Sequence, residues 1–135
     1  MVFSRAPMAT SDDQILEAWR GLLDAHAKAH CALERALKDH DLGVSEYEVL
    51  ERLAAGGEAR RMHDLGADLH LSQSALSRAV ARLERDGLAI RGMCPEDRRG
   101  VSVCITDAGR ERWTAARPAH RSALAGALSD QPARA

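Results

Sequence analysis

The chain has 135 residues, which is enough for one domain with a hydrophobic core and too few for two. Hydrophobic residues make up 45% of it and only four residues are aromatic, a composition that favours packed helices over a β-sandwich. The formal net charge of −1 excludes a uniformly basic protein, but it says nothing about a local basic surface.

Several classes of protein are disfavoured by what the sequence lacks. No apolar run approaches the ~18–20 residues that a membrane span needs, and the first eight residues have no apolar signal-peptide core, so we expect a cytoplasmic protein. The three cysteines have no CxxC spacing, which favours free thiols over a disulfide framework or a zinc knuckle. Without a glycine-rich phosphate loop, a G-x-S-x-G motif or a supported carboxylate pair, we expect neither an enzyme nor a cofactor.

The charge is distributed unevenly along the chain. Residues 1–59 contain 6 Lys/Arg and 11 Asp/Glu, a balance of −5, whereas residues 60–121 contain 12 and 8, a balance of +4. A surface that binds nucleic acid needs local positive charge, so the second region is where such a surface is expected.

A long first helix is predicted after a flexible arm of residues 1–10. Ser11 and Gln14 have the spacing of a capping box, and the helix should run to about His40. Apolar or aromatic residues and one histidine recur along it at intervals of three and four: Ile15, Trp19, Leu22, Leu23, His26, Ala29, Leu33 and Leu37. Such a helix is ~42 Å long, more than a small domain needs, so part of it should pack against a second subunit.

Three shorter helices should follow. A capping box over residues 45–48 predicts the second helix, which should end at Gly56 and Gly57. The third should span about Arg61 to Leu69. Ser72 should cap the fourth, which should run to about Asp86 before Gly87.

The fourth helix has two different faces. At 100° per residue, Leu76, Val80 and Leu83 fall within about 60° of one another. The opposite face and its flanks carry Ser74, Ser77, Arg78, Ala81, Arg82 and Arg85. Small polar residues permit close approach to a DNA major groove and arginine binds guanine or phosphate, but an ordinary solvated face fits this pattern equally well.

A β-hairpin next to this helix favours the DNA interpretation. Residues 88–91 and 101–105 have strand patterns, and a polar loop over residues 92–100 separates them. The loop carries Arg98 and Arg99, which suit a narrow minor groove, while Asp97 could hold one of them in its working rotamer.

The last helix should begin at Thr106. Its inner side should carry Trp113, Ala116, His120, Ala123, Leu124, Ala127 and Leu128. Pro118 lies inside it and should bend it unless tertiary contacts absorb the kink. The predicted fold is therefore mainly α with a small β-hairpin wing.

Four short motifs resemble the MarR family of bacterial transcription regulators. They are the run LSQSALSR at residues 71–78, LERDGL at 83–88, PEDRR at 95–99 and ITDAG at 105–109. The resemblance implies a homodimeric winged helix-turn-helix protein that binds a pseudo-palindromic DNA operator, as a rule to repress transcription. It also implies dimerisation helices at residues 11–44 and 106–135 around a DNA-binding lobe at residues 45–105.

The resemblance also implies roles for individual residues. Ser72, Gln73, Ser74, Ser77 and Arg78 would face the major groove and the phosphates, and we add Arg82 and Arg85 from the same helix. Arg99 would be the minor-groove arginine of the wing, oriented by Asp97, with Arg98 near the backbone. The family normally has a further C-terminal helix, for which residues 129–135 have no pattern. The dimer should therefore rest more heavily on the first and fifth helices, or the sequence stops short of that helix.

The signal to which such a regulator responds stays open. A small organic effector could bind among six residues between the lobe and the dimerisation helices: Trp19, His26, His30, Tyr47, Trp113 and His120. Packing alone also explains most of them. Cys94 in the wing is a candidate for oxidation, whereas Cys31 lies mid-helix with nothing to activate it. His26 and His30 have metal-ligand spacing, but they lack a clear fourth ligand, so no metal is predicted.

A second class of function fits the same pattern. A winged helix can serve as a protein-interaction module without binding DNA, in which case the long first helix would bind a different protein. Such a module would not need paired arginines in its wing.

Overall fold

The computed structural model describes residues 7–57, 59–94 and 97–129, and for residues 7–10, 93–94 and 97–99 it describes the backbone alone. The elements in chain order are α1 (Pro7–Lys38), α2 (Val44–Ala55), β1 (Ala59–Arg61), α3 (Met62–Leu69), α4 (Gln73–Arg85), β2 (Ala89–Cys94), β3 (Asp97–Ile105) and α5 (Asp107–Ser129). In the described part of the chain, five helices and a small antiparallel sheet confirm the predicted winged helix-turn-helix class.

The first helix begins earlier than predicted. It starts at Pro7, so the expected cap at Ser11 is wrong and residues 7–10 belong to the helix rather than to a flexible arm. Proline suits the first turn of a helix because its φ is already helical and its missing amide would have had no partner there. The helix ends at Lys38 instead of His40, and Asp41 then takes a left-handed φ of 55°.

The N-cap of α2 also lies at a different residue from the predicted one. Gly43 is the N-cap and its backbone N donates to Glu46 Oε1 at 2.9 Å, so the predicted box over residues 45–48 is wrong. Glu46 lies three residues after Gly43, the separation that lets a glutamate reach back to the cap.

Helices α3 and α4 form the helix-turn-helix. His70 ends α3 with a left-handed φ of 57°, and Ser72 Oγ accepts from Ala75 N at 3.1 Å to cap α4, as predicted. The side-chain amide of Gln73 lies over Gly66, so that a Cβ there would lie 2.6 Å from Gln73 Nε2.

The sheet has the strand order β1–β3–β2, with both pairings antiparallel. β1 was not predicted, and it pairs with β3 from Ala59↔Cys104 to Arg61↔Ser102. The predicted loop over residues 92–100 is too long: β2 extends to Cys94 and β3 starts at Asp97, with an irregular register between Met93 and Cys94. Only residues 95 and 96 of that loop are outside the described residues.

Helix α5 is anchored to the turn before β2. Thr106 Oγ1 accepts from Gly109 N at 3.0 Å, as expected of a cap, and it donates to Gly87 O at 2.7 Å. The helix continues through Pro118 to Ser129, so the proline does not interrupt it.

The apolar stripe of α1 divides into two halves. Leu33 and Leu37 are buried in the core, whereas Ile15, Trp19, Leu22 and Leu23 expose 65%, 55%, 65% and 50% of their surface. The core is formed mainly by α2, the inner faces of α3 and α4, and the sheet, and its fully buried members include Val49, Leu50, Leu53, Leu65, Leu76, Val80 and Val103. Among the described residues, no helix is long and apolar enough to cross a membrane.

Candidate nucleic-acid interface

Helix α4 presents its polar face outward, as its periodicity predicts. Leu76 and Val80 are fully buried and Leu83 nearly so, while Ser74 and Arg78 on the other side are exposed. Three apolar anchors on one side of a 13-residue helix hold it firmly against the core. The opposite side is therefore a rigid polar surface.

The first turn of α4 has hydroxyl and amide groups close together. Ser72 Oγ caps the helix and lies 3.4 Å from Ser74 Oγ. Gln73 is exposed, with its amide lying over Gly66 of α3. These three predicted contact residues lie side by side at the amino end of the helix, where unpaired backbone amides favour an anion such as phosphate.

Arg82 and Arg85 are both exposed on α4, and they have different neighbours. Arg82 Nε forms an ion pair with Glu46 Oε2, which joins α4 to α2. The Glu46 carboxylate thus serves both the cap of α2 and this arginine. Arg85 is mostly solvent-exposed, 3.7 Å from Asp86 Oδ1. The contacts of Arg82 indicate a packing role, which sequence periodicity could not distinguish from a DNA contact.

A cleft of about 730 Å³ opens between α4 and the sheet. It is lined by Arg61, Met62, His63, Gln73, Ser77, Arg91, Gly100 and Val101. Gln73 and Ser77 were predicted site residues, whereas Arg61, His63 and Arg91 were not. Arg61 reaches this cleft because β1 pairs with β3. Arg91 lies between the exposed Ile90 and Gly92, so no apolar periodicity in the sequence could have indicated its position.

Arg91 is held on α4 by several hydrogen bonds. Its Nε and Nη2 donate to Glu84 Oε1 at 3.2 and 3.1 Å, and its backbone N donates to Glu84 Oε2 at 3.1 Å. Its Nη1 donates to Ser77 Oγ at 3.5 Å. The strand that begins the wing is therefore attached to the helix beside it.

The predicted wing residues are described only in part. The backbone of Asp97, Arg98 and Arg99 belongs to β3, and that of Cys94 ends β2. Their side chains lie outside the described part of the structure, so the predicted pairing of Asp97 with Arg99 and the exposure of Cys94 stay predictions.

Three of the six predicted effector-contacting residues come together between α2 and α5. Tyr47 Oη donates to Glu51 Oε1 at 2.7 Å, and Trp113 Nε1 donates to the same oxygen at 3.3 Å. Arg121 Nη1 lies 3.1 Å from that oxygen, 3.4 Å from Tyr47 Oη and 3.1 Å from His120 Nδ1. We name Tyr47, Glu51, Trp113, His120 and Arg121 the junction cluster. Glu51 and Arg121 were missed because nothing in the sequence pairs residues 70 positions apart.

The rings of Tyr47 and His120 stack in the junction cluster, with centroids 4.1 Å apart and an interplanar angle of 15°. His120 is 4% exposed, and its Nε2 is buried without a hydrogen-bond partner among the described residues. Burial lowers the pKa of His120 below its usual value, which favours the neutral ring; the nearby Glu51 carboxylate opposes this decrease and the charge of Arg121 adds to it. Burial raises the pKa of Tyr47 to about 12, and the hydrogen bond to Glu51 contributes to this increase.

The other three predicted effector-contacting residues lie on α1. Trp19 and His26 are exposed and His30 is half-buried. The rings of His26 and His30 stack at 5.9 Å, and His30 Nδ1 lies 3.8 Å from Glu34 Oε1. Burial and the nearby Glu51 raise the pKa of Glu48 on α2, while both histidines partly offset that increase. Across residues 7–57, 59–94 and 97–129, no group of three or more His, Cys, Asp or Glu could hold a metal.

Comparison with known proteins identifies the family. A model described as MarR family matches residues 40–100. The HTH-type transcriptional regulator YkoM of Bacillus subtilis is 32% identical over 95 residues, which cover 70% of this chain and 61% of YkoM. The HTH-type transcriptional repressor IacR of Pseudomonas putida is 32% identical over 88 residues, which cover 65% of this chain and 52% of IacR. The chain thus spans less than two thirds of either relative.

A solved structure extends this similarity. Sco3205 of Streptomyces coelicolor, a MarR family transcriptional regulator crystallised in complex with DNA, is 32% identical to this chain. The two structures align with a TM-score of 0.77 over 87% of this chain and 78% of Sco3205. The chain belongs to the MarR family of winged helix-turn-helix transcriptional regulators.

Proposed function

We propose that the protein is a transcriptional repressor that binds double-stranded DNA as a homodimer. In this proposal α4 enters the major groove and the β2–β3 wing contacts the adjacent minor groove. The observation that carries it is the rigid outward face of α4, with Ser74 and Arg78 exposed above three buried leucine and valine anchors. The DNA complex of Sco3205, which has the same fold, supports this assignment.

The charge of the proposed interface is suitable for DNA. Arg61 lines the cleft beside α4, and Arg78 is exposed on the helix itself. This is the region whose charge balance is +4 in a chain of net charge −1. Phosphates are attracted by local positive charge, so an almost neutral protein can bind DNA through one basic face.

The homodimer is proposed to form through the exposed half of α1. Ile15, Trp19, Leu22 and Leu23 form a continuous apolar face on that half, and Leu128 near the end of α5 is 49% exposed. Apolar side chains of this size at helical spacing are typical of a helix that packs against another helix. A two-fold dimer would present two copies of α4, which fits an operator with two related half-sites.

The proposed signal is a small organic molecule that acts at the junction cluster. The cluster lies between α2 of the DNA-binding lobe and α5, so a ligand there could change how the two are oriented. His120 Nε2 is a buried polar atom without a partner, which a ligand hydroxyl or carboxylate could satisfy. Relief of repression would follow from a changed distance between the two recognition helices.

The DNA-binding proposal is tested with a duplex that the wild-type protein selects from a random library. Arg78→Ala should weaken binding of that duplex by about tenfold or more, since a good arginine contact to a base or phosphate is worth ~1–3 kcal/mol. Lys28→Ala removes the same charge from α1, where Lys28 pairs with Asp24, and should leave affinity unchanged. Fluorescence anisotropy titrations measure both variants.

Salt dependence provides the second measurement. Wild-type affinity should fall steeply with salt concentration, because several phosphates are neutralised per dimer. A flat salt response, or no duplex selected at all, would contradict the proposal and favour the protein-interaction alternative.

A further inference from the structure

We propose that Glu84 and Arg91 form a positioning pair that sets the direction of the wing relative to α4. Glu84 thereby raises the affinity for a specific DNA sequence without touching the DNA. This inference rests on the proposed DNA-binding function.

The geometry of the pair is that of a two-point attachment. One carboxylate oxygen of Glu84 accepts from both Nε and Nη2 of Arg91, and the other accepts from the Arg91 backbone N. The side chains are only 34% and 29% exposed, so water screens the charge-assisted bonds less than at an open surface. Because both the backbone and the side chain are bound, the strand itself is held, rather than a flexible arginine alone.

The attachment extends along α4. Ser77 lies seven residues before Glu84, which is two helical turns, so both residues lie on the same side of the helix. Arg91 Nη1 reaches the Ser77 hydroxyl at 3.5 Å while the rest of the guanidinium binds Glu84. Ser77, a predicted DNA contact, is therefore oriented by the same arginine.

Strand β2 needs such an attachment because it is an edge strand. It pairs with β3 on one side only, and the Arg91 amide donates to Glu84. From Arg91 to Cys94 the strand extends about 10 Å, so a rotation of about 10° at Arg91 moves its far end by ~2 Å. A displacement of that size separates a wing side chain from a groove atom that it would otherwise contact.

Because Glu84 is negatively charged, the direction in which its removal changes the affinity for DNA tests the inference. A carboxylate beside a DNA-binding face repels phosphate and also neutralises Arg91. If electrostatics alone determined affinity, removal of Glu84 would strengthen DNA binding. If Glu84 positions the wing, its removal weakens binding to the specific sequence despite the more favourable charge.

The experiment compares Glu84→Ala with Asp86→Ala, which removes the same charge two residues later. The library-selected duplex and a scrambled duplex of the same length are titrated against each variant by anisotropy. We expect Glu84→Ala to bind the selected duplex about three- to thirtyfold more weakly, which lies within the range of measured couplings in hydrogen-bonded networks. The affinity of Glu84→Ala for the scrambled duplex should stay unchanged or increase. The affinities of Asp86→Ala for the selected duplex and for the scrambled duplex should likewise stay unchanged or increase.

A second variant, Arg91→Lys, and a measurement of folding complete the experiment. Arg91→Lys keeps the charge but loses the planar fork, and it should show the same loss of specificity. Thermal unfolding of both variants verifies that the fold persists. If folded Glu84→Ala or Arg91→Lys binds the selected duplex as tightly as wild type, the positioning pair is refuted. If the wild-type protein selects no duplex, the proposed function itself fails.

Discussion

At the scale of single residues, the junction cluster is where burial and hydrogen bonds change the pKa values of side chains. Three donors converge on Glu51 Oε1, from Tyr47, Trp113 and Arg121. Burial by itself raises the pKa of Glu51, but these hydrogen bonds outweigh it and lower the pKa below its ordinary value. The carboxylate therefore stays charged and holds α2 to α5 with charge-assisted bonds.

The pKa of Tyr47 can be measured directly, since it is the only tyrosine of the chain. Burial, and next the hydrogen bond to Glu51, raise this pKa from 10.0 to about 12. Its contribution to stability is complete below the unfolded pKa and is lost as the pH rises from about 10 to about 12. Phenolate absorbance during an alkaline titration should therefore rise near pH 12 in the folded protein and near pH 10 in denaturant.

Substitution of Glu51, which accepts the hydrogen bond of Tyr47, separates its effect on the pKa of Tyr47 from the effect of burial. Glu51→Gln removes the negative charge beside the phenol, so the pKa of Tyr47 should fall toward its ordinary value. Glu111→Gln, an exposed glutamate on α5, is the matched control and should not move the titration. An unchanged midpoint in Glu51→Gln would mean that Glu51 does not affect the phenol.

At the scale of elements, the start of α5 depends on one missing side chain. A Cβ at Gly109 would lie 2.1 Å from Leu88 O and 3.0 Å from Ile105 Cγ1. The same Leu88 carbonyl accepts from Thr106 N at 3.1 Å. The ITDAG motif at residues 105–109 thus has a physical reason: its threonine caps the helix, and its glycine lets the helix pack onto the turn before the wing.

Gly109→Ala should accordingly destabilise the fold. The inserted methyl group meets backbone rather than a movable side chain, and we expect a loss of about 3 kcal/mol in the free energy of unfolding. Gly126→Ala in the same helix has nothing within 4 Å of its new Cβ, and it should gain about 0.5–1 kcal/mol from higher helix propensity. Denaturant unfolding measures whether Gly109→Ala loses stability and Gly126→Ala gains it. Equal stability of the two variants would contradict the packing argument.

At the scale of the whole molecule, the exposed half of α1 is not covered by any of the residues that the structure describes. Four large apolar side chains there are half exposed or more, although the same helix buries Leu33 and Leu37 further along. This is the face on which the proposed homodimer depends.

Leu22→Glu should disrupt that dimer. Each copy would forfeit about 1.5–3 kcal/mol of apolar burial and add a charge to the interface, so the monomer should predominate in light scattering at low protein concentration. Glu17→Lys lies on the opposite face of the helix and should leave the mass unchanged. If Leu22→Glu keeps the wild-type mass, this face is not the interface.

Local patterns predicted much of the fold. The inner face of α4, the cap at Ser72, the ends of α4 and the cap at Thr106 all follow from spacing within a few residues. The position of Ser74 and Arg78 on an exposed face follows from the same periodicity. These features need only neighbouring residues, so the sequence by itself determines them and, through the motifs, the family.

Other features depend on residues that are distant in the chain. Arg82 forms an ion pair with Glu46, 36 residues away, and Arg121 forms one with Glu51, 70 residues away. Strand β1 exists because β3 pairs with it, and three residues alone give no periodic signal. Whether an arginine forms an ion pair within the chain, and with which partner, was therefore decided only by the tertiary structure, because the position of its partner is a property of the folded chain.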